Sequence, residues 1–377
     1  MTTPLSRREF LKLSGLSLVV APFLPSCALP PQPADVSLEV KIGQMLMVGF
    51  RGLVIDEGHP IIRDITDHYL GGVVLFDFDV PNWEAVRNIA SPIQVQVMIE
   101  TLQRLAYMPL LVAIDHEGGI ITRLKERYGF PASVSHQQLG DTNDLDYTHQ
   151  QAAEMAQTLR ELGINLNLAP VVDVNTNPDN PIIANYERSF SADPQQVTTH
   201  AAEFIKAHHE QGVLSTLKHF PGHGSSTEDS HIGVTDVTET WSRIELEPYR
   251  NLIEAGQVDA IMTAHVFNAT LDNEDPATLS PAVITDLLRG ELQYDGVVIS
   301  DDMQMGAIRE HYGFETALQK TIEAGVDIVA IANNSVYEPD IVARSARLIR
   351  QWVDDGTVSE ARIDESYQRI QRLKQRL

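Results

Sequence analysis

One cysteine in 377 residues, Cys27, leaves the chain without an internal disulfide, so its stability has to come from a packed core. Basic residues are scarce as well. The 28 Lys and Arg face 52 Asp and Glu, a formal net charge of -24, which argues against nucleic acid or a strongly anionic surface as partner of the folded body. Long hydrophobic runs are missing: the stretch from Leu13 to Leu24 falls short of the roughly 20 apolar residues that span a bilayer. No internal repeat, low-complexity tract or linker follows Asp35. Length alone admits either two average domains or one large barrel.

The first 27 residues differ in kind from the rest. Ser6-Arg7-Arg8-Glu9-Phe10-Leu11-Lys12, followed by the short apolar run, resembles a twin-arginine export signal. Cys27 behind small Ser26 resembles a lipobox, in which the cysteine is lipidated after cleavage; an ordinary secretory signal cut near Ala28 is the alternative. These readings divide the chain into a signal at 1–27, a proline-rich tether at 28–35 and a folded body at 36–377. They place the protein outside the cytoplasm, touching membrane only through a lipid on Cys27. Twin-arginine systems export folded, often cofactor-loaded proteins, but no other feature of the sequence supports a cofactor.

Within the body, short apolar, β-branched runs recur: Met45 to Phe50, Gly72 to Phe76, Leu110 to Ile114, Ile164 to Leu168, Val213 to Leu217, Ala260 to Thr263, Gly296 to Ser300 and Asp327 to Ile331. Between them lie helical patterns such as Tyr147 to Leu162, Gln196 to Gln211, Ile244 to Ala255 and Glu315 to Ala324. Eight such alternations predict a parallel sheet covered by helices, and specifically a single-domain (β/α)8 barrel rather than a doubly wound sheet. The polar residues decide between the two. Asp115 ends the third run, Lys218 and His219 the fifth, His265 the sixth, Asp301 the seventh and Asn333 the eighth, as a barrel's active face requires.

The segment Lys218-His219-Phe220-Pro221-Gly222-His223-Gly224, with Asp229-Ser230-His231 after it, concentrates ionisable side chains around helix-breaking residues and is expected to be a loop that carries chemistry. Its histidines also permit a metal site. Pro221 and Gly222 separate His219 from His223, however, which spoils the i, i+4 helical pair of zinc hydrolases. In Ser300-Asp301-Asp302-Met303 the strand-end Asp301 is assigned to chemistry and Asp302 to helix capping. Asp115-His116-Glu117-Gly118-Gly119 offers a carboxylate for sugar hydroxyls beside glycines that let backbone approach a ligand, with Arg123 soon after. Arg188, in Arg188-Ser189-Phe190, either donates to a ligand or forms a structural pair with Asp173.

Taken in order, these four segments resemble family 3 glycoside hydrolases, specifically their single-domain β-N-acetylglucosaminidases, over about Val40 to Ala332. The resemblance implies a retaining enzyme that removes terminal β-linked N-acetylglucosamine through a covalent glycosyl-aspartate. Asp301 matches the nucleophile, and His231 the general acid/base, paired with Asp229. Asp115, Arg188, Lys218 and His219 match residues that hold the sugar, while Arg123, His223 and His265 take supporting roles. No metal or organic cofactor is implied, and the partner is an N-acetylglucosamine-containing oligosaccharide bound by a monomer. An imidazole donor departs from the usual pair of carboxylates roughly 5 to 5.5 Å apart, but a histidine steadied by a carboxylate titrates near neutrality and can give and then take a proton.

The chain departs from the family pattern at Ile120, where an arginine is common, and at Asp77-Phe78-Asp79, where Gly-Arg-Asn is more usual. Peptidoglycan fragments and chitooligosaccharides both remain open as substrates, as do water and phosphate as acceptors. Two other functions remain in view: a metal-dependent hydrolase on the same barrel and a non-catalytic sugar-binding lipoprotein.

Overall fold

Eight runs buried along nearly their whole length pair side by side as parallel strands: β1 Leu46–Gly49, β2 Gly72–Leu75, β3 Leu111–Ile114, β4 Leu166–Asn167, β5 Leu214–Phe220, β6 Ala260–Thr263, β7 Val297–Ile299 and β8 Val329–Ile331. This computed structural model describes residues 36–230, 233 and 235–377. The signal at 1–27 with Cys27, the tether at 28–35 and His231 lie outside the described residues. Val36–Leu377 forms one compact unit.

The strands follow one another in the order β7-β6-β5-β4-β3-β2-β1-β8. Ile299 bridges Ile328, with Ser300 N–H donating to Ile328 O at 2.9 Å and Ile328 N–H to Val298 O at 3.0 Å, so the sheet closes on itself. Closure removes the doubly wound alternative and leaves the (β/α)8 barrel expected from the sequence. Because both faces of each strand are covered, the strands read as continuous apolar runs without alternation. Val73, Leu75, Val112 and Ile114 are fully buried, each worth about 1.5–3 kcal/mol relative to exposure.

Helices fill the crossovers, among them Pro92–Leu105, Leu145–Leu162, Pro194–Glu210, Glu247–Glu254, the π-helical Ala282–Glu291, and Phe314–Ala324. Their starts carry the expected capping chemistry. Ser91, Asp144 and Asp193 accept backbone N–H groups at three N-termini, two of which are followed by Pro92 and Pro194. Among the described residues no helix is long and apolar enough to cross a membrane.

Most strands are shorter than the apolar runs that mark them, but one is longer. The fifth strand does not stop at Leu217 but continues through Lys218 and His219 to Phe220, with a register irregularity against β6 between Leu217 and Phe220. Regular alternation would send Lys218 and His219 to opposite faces; with the irregularity, both line the same cavity. The peptide bonds Lys218–His219 and Phe220–Pro221 are cis.

Candidate active site

A cavity of about 470 Å³ opens at the C-terminal ends of the strands. Into it the fold brings eight residues singled out from the sequence: Asp115, Arg123, Arg188, Lys218, His219, His223, Asp229 and Asp301. They come from four different strand ends and their loops, the arrangement a barrel allows because every strand points the same way.

Its wall is an ion cluster. The Lys218 ammonium, 2% exposed, lies 2.8 Å from Asp115 Oδ1 and 2.7 Å from Glu117 Oε1. Arg188 grips Glu117 with Nε and Nη2, and Arg123 Nη2 lies 3.2 Å from Asp115 Oδ2. Burial pushes the Asp115 carboxyl up, but the Lys218 and Arg123 cations outweigh it and bring it down to about 2. For Glu117, too, burial is overcome by Arg188 and Lys218, which hold it well below the usual carboxylate range. Lys218 is raised in turn: burial disfavours its charge, and Asp115 and Glu117 more than compensate. All these groups therefore carry charge at neutral pH, with hydrogen-bonding capacity left over for hydroxyls.

Asp173 pairs with His219, which replaces the expected Asp173–Arg188 pair. Its Oδ2 lies 2.7 Å from His219 Nδ1, while Arg188 Nη2 lies 3.2 Å from His219 Nε2. A guanidinium can only donate, so Nε2 accepts and the His219 proton sits on Nδ1, donated to Asp173. Arg188 is instead committed to Glu117, because the strand ends bring those side chains together across 71 positions. The sequence motif by itself gives Glu117 no role. The missed signal was its spacing: two residues after Asp115 in extended chain, it points to the same side.

The glycines of that motif serve packing rather than ligand approach. Gly118 has φ +97°, and a Cβ there would stand 2.1 Å from Val134 O. The bend after β5 is equally tight, since a Cβ on Gly224 would meet Val174 O at 1.8 Å. Beneath this bend, fully buried Glu245 accepts from Gly224 N–H at 2.9 Å; burial raises its carboxyl to about 8. His223, also buried, sits between the hydroxyls of Ser226 and Ser230 at 2.7 and 3.0 Å, and burial lowers it to about 4. Asp229 lies beyond it on the cavity wall.

Asp301 follows β7 and faces the cavity, and its Oδ1 accepts from Asp302 N–H at 2.8 Å. Asp302 does not cap the next helix, Gly306–Tyr312, whose N-cap is Met305 with no side-chain hydrogen bond; its Oδ1 instead accepts from Gln304 N–H at 3.1 Å and from Ala332 N–H at 2.8 Å, tying the end of β7 to the end of β8. His265 does not line this cavity. Its Nδ1 meets Thr278 Oγ1 at 2.8 Å and its Nε2 meets Asp302 O at 2.9 Å, so its support is indirect, through the backbone behind Asp301. His219 and His223 point their nitrogens at separate partners, and no three His, Cys, Asp or Glu side chains among the described residues converge as metal ligands.

Residues 37–373 match the glycosyl hydrolase family 3 N-terminal domain. The chain is 36% identical over 299 residues to a β-hexosaminidase of Tolumonas auensis, covering 77% of this chain and 83% of that protein. It is 34% identical over 342 residues to β-hexosaminidase A of Pseudoalteromonas piscicida, covering 84% of this chain but 55% of that protein. The solved family 3 β-N-acetylglucosaminidase of a Paenibacillus species superposes with a TM-score of 0.82 at 37% identity, over 90% of this chain and 62% of that one. The chain thus spans just over half and about six tenths of the length of the last two relatives.

Proposed function

The chain belongs to glycosyl hydrolase family 3, and from that premise we propose that it is a retaining β-N-acetylglucosaminidase acting on terminal, non-reducing β-linked N-acetylglucosamine. One observation carries the reading: Asp301 shares a cavity with the Lys218–Asp115–Glu117–Arg188 cluster and with Asp229. Lys218, Arg188 and Arg123 donate to the hydroxyl oxygens of the first sugar, while Asp115 accepts from its hydroxyl protons. The glycon is thereby fixed with its anomeric carbon at Asp301.

The Asp301 carboxylate attacks that carbon as the bond to the leaving oxygen breaks. The His231 imidazolium, its charge stabilised by Asp229, gives its proton to that oxygen. Neutral His231 then takes a proton from water as the water attacks the glycosyl ester, which releases the sugar and restores Asp301. The developing oxocarbenium charge is stabilised by the adjacent carboxylate. Phosphate can take the place of water in the second step, because a neutral histidine repels an anionic acceptor less than a carboxylate would.

Peptidoglycan fragments and chitooligosaccharides are the substrate classes proposed. The paired arginines and Cys27 support an exported, lipid-anchored protein. The test of the reading is Asp301→Ala: loss of nitrophenol release from nitrophenyl β-N-acetylglucosaminide is expected, and undiminished turnover would remove the nucleophile assignment. Release of free N-acetylglucosamine with and without phosphate identifies the acceptor.

A further inference from the structure

Trp83 is 81% exposed, yet its ring stands edge-on to Phe78, centroids 5.4 Å apart at 88°, and Phe78 lines the same cavity as Asp301. Singly exposed apolar residues are ordinary on protein surfaces. This one differs in its mounting.

Residues 77–87 form a closed loop between β2 and the helix Pro92–Leu105. Its neck is tied by Asn88, whose N–H donates to Phe76 O at 2.9 Å and whose Oδ1 accepts from Phe76 N–H at 3.1 Å. Its two limbs pair through Asp79 and Glu84, whose backbone groups exchange hydrogen bonds of 2.9 and 3.1 Å. The buried Asp79 carboxylate holds Arg51 at 2.6 Å and Arg87 at 2.8 Å; Arg87 in turn donates to Asn333 O beyond β8 at 2.7 Å. A loop fixed at this many points presents its aromatic tip at little cost in conformational entropy when a ligand arrives. A Trp held in water on a rigid mount, in contact with a Phe that lines the catalytic cavity, is a surface on which an apolar sugar face can be desolvated.

Resting on the hydrolase reading above, we infer that Trp83, braced by the perpendicular ring of Phe78, forms an aglycone platform that stacks on the second pyranose ring, the one beyond the scissile bond. This makes the chain selective for oligosaccharides over glycosides of small alcohols.

The experiment compares kcat/KM for N,N′-diacetylchitobiose with kcat/KM for methyl β-N-acetylglucosaminide, which has no ring beyond the bond. In Trp83→Ala the ratio of the two falls roughly tenfold, the loss appearing in KM, and Trp83→Tyr restores most of it. Because the side chain is solvent-exposed, the unfolding midpoint of Trp83→Ala stays with that of the wild type. An unchanged ratio in a variant active on both substrates overturns the inference alone. A wild-type protein that cleaves neither substrate removes the hydrolase reading and the subsite together.

Discussion

Arg188 holds Glu117 through two parallel hydrogen bonds of 2.8 Å, Nε to Oε2 and Nη2 to Oε1, and both side chains are buried. Lys218 reaches the same carboxylate, so Glu117 is the anion on which two of the site's cations are set. Paired forks of this kind fix direction as well as charge. Without Glu117, Arg188 and Lys218 would lose the partner that aims them.

Glu117→Ala is therefore expected to cost about 3–5 kcal/mol of stability, since it strands buried charge. Glu117→Gln, which keeps the shape, should cost less. Thermal unfolding measures the difference, and KM for the first sugar should rise in both. A KM equal to wild type in folded Glu117→Ala would show that the pair only braces the wall.

Leaving-group dependence tests the proton donor. His231→Ala and Asp229→Ala should lower kcat/KM by about 10²–10⁴ for poor leaving groups, which need protonation, and far less for aryl leaving groups. Equal losses for both classes would count against general acid catalysis by this pair.

Glu245 gives a pH signature. Its carboxyl is raised from 4.5 to about 8 in the folded protein, so above pH 4.5 the unfolded chain has released a proton that the native state keeps. Stability should fall as pH rises from 4.5 through 8. Glu245→Gln removes this titration while keeping an acceptor for Gly224, and its denaturation midpoint is expected to vary less across that window. A profile parallel to wild type would mean Glu245 is ionised when folded.

Asp115 and Glu117 titrate in the opposite sense. Depressed from 3.8 and 4.5, they add stability that is fully present above those values and is lost as pH falls below them, in the case of Asp115 toward about 2. Removing both carboxylates together with Lys218 should flatten the acid limb of the stability profile, read by chemical denaturation between about pH 2 and 5.

Gly224→Ala probes the bend that leads to Asp229. A methyl group 1.8 Å from Val174 O forces the two segments apart. Activity should fall further than stability, measured as kcat/KM at a temperature where the variant remains folded. Wild-type activity would show that the bend tolerates displacement.

The sequence by itself determined the eight strands, their parallel barrel and eight of the ionisable residues at its mouth, though not Glu117. Continuous apolar runs and strand-end polar residues are local patterns, and burial on both faces leaves few other ways to satisfy them. Partnership was not local. That Arg188 turns to Glu117 and leaves Asp173 to His219, and that Lys218 and His219 share a face inside a strand, follow from register between segments far apart in the chain. Register is set by how neighbouring strands pack around the closed barrel, and only the tertiary structure carries that information.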